Sequence, residues 1–214
     1  MRGKTIAVAA IGLAGLAGTS QAHAATISVD AGCYIANSPI NSSAAGFTPS
    51  GPVNFSFDGQ LSASGVADGA GNLAQPLTAP LLPPNIHQHT FSLAAQDQTN
   101  PAISATTQVN VTDGAATLSP SRARPRRKVK LTAYALIPGK TVYLHYVFHG
   151  KQRYRKKLGK ASPPCGKIAR RTRFFPVNKP RVGIWTFQFD NRKKYSKHTA
   201  PRTGFRVQIF KIFK

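Results

Sequence analysis

The chain has 214 residues, 41% of them hydrophobic, and a formal net charge of +23 from 29 Lys and Arg against six acids. All six acids are scattered Asp, so the paired carboxylates of general acid–base catalysis have no candidate. Motifs of the G-x-S-x-G, HExxH and phosphate-loop types are also missing, so no catalytic residue is nominated and no cofactor is expected.

Residues 1–24 read as a secretory signal peptide. Arg2 and Lys4 form a positive start, Thr5 to Gly18 is small and apolar, and Ala22-His23-Ala24 is an A-x-A cleavage site. The apolar run is shorter than the roughly 20 residues a membrane span needs, and no second long one follows. The mature chain is therefore expected to be secreted or held non-covalently on the cell surface, with no transmembrane span.

Charge then divides what remains. Residues 25–120 hold five acids (Asp30, Asp58, Asp68, Asp97, Asp113) and no Lys or Arg, whereas residues 121–214 hold 27 Lys and Arg against Asp190 alone. Such a step predicts two units with different tasks: residues 25–113, neutral to acidic, and residues 114–214, strongly basic. Cys33 and Cys165 fall one in each unit. In an oxidising space an even count favours a disulfide stapling the units; free thiols or pairing between molecules are the alternatives. Basic neighbours would lower the pKa of Cys165 in Pro-Pro-Cys-Gly, but a bridge is expected over a reactive thiolate.

Along the first unit, alternation dominates. Val53, Phe55 and Phe57 share one face of a strand, and Thr107, Val109 and Val111 share another. Asp58-Gly59, Asp68-Gly69 and Gly71-Asn72 are turn signals, with the Asp side chains expected to cap local backbone. His87 and His89, two apart on a strand, would point the same way, but no third ligand is evident. Solvated strand histidines are expected, and no metal site.

The second unit repeats the pattern with cations added. Val142, Leu144, Tyr146 and Phe148 share a face, as do Trp185, Phe187 and Phe189, all expected in the core. His145 and His149, four apart, fall on the opposite face, and solvation is again the expectation. In KQRYRKKLGK, alternation puts Arg153, Arg155 and Lys157 on one face, with Tyr154 and Leu158 on the other; Lys156 completes the run. RARPRRKVK gives Arg122, Arg124 and Arg126 one parity and Arg127 the other. IARRTRFF adds Arg170, Arg171 and Arg173, and NRKKYSK adds Arg192, Lys193 and Lys194. Tyr154 and Tyr195 lie among these cations, where they could stack on bases or face the core.

The two units also repeat each other. GFTPSGPVNFSFDGQ resembles ALIPGKTVYLHYVFHGK, HTFSL resembles WTFQF, and TQVNV resembles FRVQI, in the same order. The spacing, about 90 residues, suits a small immunoglobulin-like sandwich of about 100 residues. The pattern GFTPxGxVxxxxDGQ, then ADGAGNL and HTFSL, resembles the tandem immunoglobulin-like repeats of secreted and cell-surface proteins from high-GC Gram-positive bacteria. The resemblance implies adhesion, scaffolding or ligand display rather than chemistry.

The expectation is therefore an all-β protein of two tandem immunoglobulin-like β-sandwiches. Solubility asks for a net charge of roughly 2–8 on a small domain, and the second unit far exceeds that. Self-repulsion on this scale relaxes when anions arrive. The expected partner is an anionic cell-envelope polymer: a teichoic-type phosphate polymer, an acidic glycan or anionic lipid headgroups, with extracellular nucleic acid as a further option. No small-molecule substrate is expected. The alternative is a structural or adhesive surface protein whose first unit contacts a protein or glycan partner.

Overall fold

The computed structural model describes residues 24–210, so the expected signal peptide lies outside the described residues except for Ala24. No helix occurs among them, and hence none long and apolar enough to cross a membrane.

The first unit is built from β1 (Thr26–Val29), β2 (Tyr34–Ile35), β3 (Pro39–Ala45), β4 (Pro52–Phe57), β5 (Gln60–Val66), β6 (Leu73–Thr78), β7 (Gln88–Asp97) and β8 (Ser104–Thr112). One sheet has the order β1-β3-β6 and the other β2-β8-β7-β4-β5, with β2 running parallel to β8. The second unit comprises β9 (Ala116–Ser119), β10 (Lys128–Ala133), β11 (Thr141–Phe148), β12 (Lys151–Lys160), β13 (Ile168–Arg173), β14 (Gly183–Asp190) and β15 (Arg202–Ile209). Its sheets run β9-β10-β13 and β12-β11-β14-β15. Each unit has its own buried apolar cluster between its sheets. Both are immunoglobulin-like sandwiches.

The alternation explains the layers. Val53, Phe55 and Phe57 of β4 face inward, as do Val142, Leu144, Tyr146 and Phe148 of β11 and Trp185, Phe187 and Phe189 of β14. Burying an aromatic or aliphatic side chain contributes roughly 1.5–3 kcal/mol, so these three strands anchor the two cores.

The repeat is structural as well. Asp58 and Gly59 turn β4 into β5 with φ of 48° and 81°; His149 and Gly150 turn β11 into β12 with φ of 49° and 73°. Two successive positive φ values match the twist of a tight hairpin. A second equivalence is less visible in the sequence. The Asp97 carboxylate accepts the backbone N–H of Thr48 at 2.7 Å, and the Asn191 carboxamide oxygen accepts that of Ile137 at 2.9 Å. Each accepted N–H belongs to the residue before the proline, Pro49 or Pro138, that leads into the next strand. The bond persists in the second copy while the charge is gone. HTFSL and WTFQF are offset in the structure from their match in the sequence. Val53 pairs with Asp97 while Tyr143 pairs with Asp190, which sets Phe91, not His89, opposite the role of Trp185. HTFSL and WTFQF therefore correspond with a slip of two residues, which preserves the inward face because strands repeat every two residues.

Residues 113–115 join the units without a free linker. Tyr134 N donates to Ala115 O at 3.0 Å, and the Thr203 hydroxyl donates to Gly114 O. His87 Nδ1 lies 2.7 Å from Asp113 Oδ2 and its ring packs 5.5 Å from that of Tyr134. Cys33 and Cys165 are disulfide-bonded across the junction, with Cα atoms 5.3 Å apart. Cys165 is held by Ala135 N donating to its carbonyl at 3.0 Å. Next to it, Gly166 has φ of 67°, and a Cβ there would lie 1.6 Å from Leu136 O, so no other residue fits this turn.

Candidate functional site

The cations do not converge on one spot; they cover both faces of the second sandwich. On the β9-β10-β13 sheet, alternation sends Val129, Leu131 and Thr172 inward and leaves Lys128, Lys130, Arg171 and Arg173 exposed. Register places Lys128 opposite Arg173 and Lys130 opposite Arg171, a two-by-two lattice of like charges. Directly opposed side chains on adjacent strands lie about 4.5–5.5 Å apart at Cβ, and like charges there are destabilising. Lys128 and Lys130 were not singled out from the sequence. The signal was present: K-V-K and R-T-R carry their cations on one parity, but only the pairing register brings them together.

Arg122, Arg124, Arg126 and Arg127 lie on a loop over residues 120–127, not on a strand, so their expected parity does not apply. Arg127 N donates to Arg124 O at 2.9 Å, closing a turn around Pro125, and Arg127 O accepts Phe174 N at 2.9 Å. The loop thus continues the lattice beyond Arg173.

The other sheet presents Arg153, Arg155 and Lys157 from β12, exposed as alternation predicts. Lys156 is half-buried instead and donates to the Thr172 hydroxyl, so it braces one sheet against the other. Arg170 lies at the sheet edge, where Nε donates to Leu158 O at 2.8 Å. Arg192, Lys193 and Lys194 belong to a strap over residues 191–200 that crosses the outer face of β11 and β14. Arg155 donates to Lys193 O at 2.8 Å and fastens the strap.

Beneath the strap lies a polar cluster that corrects the expectation of a solvated His145. Its side chain is fully buried, whereas His149 sits exposed in the hairpin turn. His145 Nδ1 is 2.8 Å from Gln152 Oε1, and Nε2 is 3.2 Å from Asp190 Oδ1 and 3.1 Å from Arg192 O. Asp190 also accepts Arg192 N at 2.9 Å and Gln188 Nε2 at 2.7 Å, and the same Gln188 nitrogen donates to Ser196 O at 3.0 Å. Burial alone would lower the His145 pKa, but the Asp190 carboxylate and the surrounding acceptors outweigh it and hold the value above 6.5. Burial likewise would raise Asp190, yet the bonds from His145, Gln188 and Arg192 hold it below 3.8. Asp190 is the only acid among residues 114–210, and it is wholly buried. Among the described residues, every carboxylate within ion-pair distance of a basic side chain is paired to a histidine, and no Lys or Arg is neutralised by one.

Tyr154 and Tyr195 are occupied. Tyr154 stacks on Trp185 with centroids 6.2 Å apart, and Tyr195 packs 5.8 Å from His145. In the first unit, His87 turns to Asp113 and His89 to Asp58 (3.9 Å), so the two histidines serve separate carboxylates. Asp68 caps its own turn by accepting Ala70 N and Asn72 N at 2.9 and 2.8 Å. Asp58 instead reaches across to Ser92 N, at 2.8 Å.

No family model and no curated protein matches the chain. Solved structures similar to it include the human OSCAR ligand-binding domain, at TM-score 0.34 and 9% identity, covering 86% of this chain and 97% of that one. A tetra-tandem repeat from the extending region of a large adhesion protein matches at TM-score 0.28 and 12% identity, covering 86% and 48%. A structure described for host cell surface retention of a 1.5-MDa bacterial ice-binding adhesin matches at TM-score 0.29 and 15% identity, covering 86% and 63%. The chain thus spans about half and under two thirds of the two adhesion structures. The sandwich assignment stands on the strand pairing, independently of these likenesses.

Proposed function

We propose that the chain is an exported, non-catalytic binding module whose basic second unit holds it to an anionic polymer of the cell envelope. The observation that carries this reading is the lattice of Lys128, Lys130, Arg171 and Arg173, like charges in register on a surface that offers no acid to offset them. Such an arrangement costs stability in the free protein and is relieved by a bound polyanion. Arg supplies planar forks and Lys point charges, which suit phosphate or carboxylate repeats. In the Gram-positive envelope implied by the repeat pattern, the ligand would be a teichoic-type phosphate polymer, an acidic glycan or anionic lipid headgroups; extracellular nucleic acid shares the chemistry.

The test is salt-dependent binding of the full chain to a panel of phosphate, carboxylate and nucleic-acid polymers. Each neutralised phosphate contributes roughly 0.7–0.9 to the slope of log K against log salt. Replacing the four lattice residues with threonine is expected to flatten the slope by about 3 on the same scale. It is also expected to raise the melting temperature at low salt, because two opposed like-charge pairs disappear. A variant that keeps the wild-type slope would remove the lattice from the binding surface.

A second reading has its own observation. The outer face of the five-stranded sheet is uncharged and rich in Ser, Thr, Asn and Gln, knit by Ser64 donating to Asn54 at 2.6 Å and Thr90 to Asn110 at 2.8 Å. A preorganised amide and hydroxyl face suits a protein or glycan contact, with the basic unit serving placement. Whole-cell binding that survives the four threonine substitutions would favour it.

A further inference from the structure

The two sandwiches differ at one edge. In the first unit the chain leaves β1, crosses to the opposite sheet and forms β2, which covers β8 by pairing Tyr34 with Val111 and Ile35 with Thr112. In the second unit the corresponding segment, residues 120–127, is diverted. It carries Pro120 and Pro125, which cannot donate backbone hydrogen bonds, and it docks against Phe174 and Phe175 through Arg127 O and Pro125 O. No strand forms there, so β15 ends its sheet with an uncovered edge among the described residues. Between that edge, the diverted loop and residues 174–182 runs a groove of about 1110 Å³.

The groove has the composition of a strand-binding slot. Leu118, Phe174, Val207 and Ile209 form an apolar floor continuous with the core. Val182 and Phe210 stand at its lip, 56% and 69% exposed. Arg122, Arg124, Arg127, Lys179 and Arg206 surround it, all exposed, and no acid lines it. An exposed strand edge offers rows of backbone donors and acceptors, and an added strand satisfies them while alternate side chains enter pockets.

We infer that the edge of β15 receives an extended acidic peptide segment of a partner protein, which adds a strand in the place β2 occupies in the first unit. The apolar floor takes every second side chain, and the cationic rim takes carboxylates between them. The loop of Arg122, Arg124 and Arg127 joins this groove to the lattice, but the groove itself includes none of Lys128, Lys130, Arg171 and Arg173.

The test uses the full chain and a fluorescein-labelled peptide of about ten residues alternating Val and Asp, followed by fluorescence anisotropy at low salt. A control peptide of the same sequence, N-methylated at alternate residues, keeps the charge but loses the backbone donors on one edge. Losing two or three such bonds is expected to weaken binding by about tenfold or more. Arg124→Ser with Arg206→Ser is expected to weaken binding of the unmodified peptide, while the four-threonine lattice variant leaves it unchanged. Equal binding of the two peptides would reduce the interaction to general charge attraction and overturn the inference. So would a loss caused by the lattice variant as large as that caused by the rim variant. Neither outcome touches polymer binding, which is read from the lattice variant's salt slope.

Discussion

Below pH 6.5, where His145 is protonated, replacing Asp190 with alanine is expected to destabilise the protein by about 3–5 kcal/mol, because it leaves that buried cation without its carboxylate. His145 would lose its counter-charge, and Arg192 N and Gln188 Nε2 would lose an acceptor in a site closed to water. The strap over residues 191–200 is pinned by this cluster, so its release should show directly. Trypsin should cut at Arg192, Lys193, Lys194 or Lys197 in the variant under conditions that leave the wild type intact. Asp190→Asn keeps an acceptor and is expected to lose less. The cluster also sets a pH window. The folded value of His145 is raised, so its contribution is complete below 6.5 and is lost as pH climbs through the elevated folded value. That of Asp190 is depressed, so its contribution is present above 3.8 and is lost as pH falls through the depressed folded value. Urea unfolding of the wild type should therefore give a stability plateau between pH 3.8 and 6.5, and Asp190→Ala should flatten both limbs. Wild-type stability independent of pH on the alkaline side would mean that the pair carries no net weight.

Breaking the Cys33–Cys165 bridge is expected to cost a comparable amount. The bond joins residues 132 apart. On the chain-entropy account a loop of about 100 residues corresponds to about 4.7 kcal/mol, and this loop is longer. The Cys33→Ser, Cys165→Ala variant should melt at a lower temperature. Its single unfolding transition should separate into two, because the junction bonds at Ala115 and Gly114 then act alone. Coincident transitions unchanged by reduction would show that those bonds suffice.

What could be read from the residues followed the two-residue period. The inward sets of β4, β11 and β14, the tight hairpins at Asp58-Gly59 and His149-Gly150 and the division into a neutral and a basic unit all depend on neighbours a few positions apart. What escaped depends on contacts that alternation does not encode. His145 has the parity of an outward residue, yet the strap from residues 191–200 covers it. Lys156 is the exception: it has the inward parity of Tyr154 and Leu158, and its charge masked that signal until its contact with Thr172 showed it. Lys128 and Lys130 became part of the lattice only through the register with β13. The vacancy beside β15 arises from a strand that is not formed, and only comparison of the two copies exposes it.

The placement of charge has a mechanical consequence. Among the described residues, five acids lie on one side of the stapled junction, and 25 cationic residues against a single buried acid lie on the other. The covalent tie makes that asymmetry a permanent electric dipole rather than a property of two tumbling halves. If the proposed anionic layer is the partner, its field would exert a torque as well as an attraction and would turn the first sandwich outward.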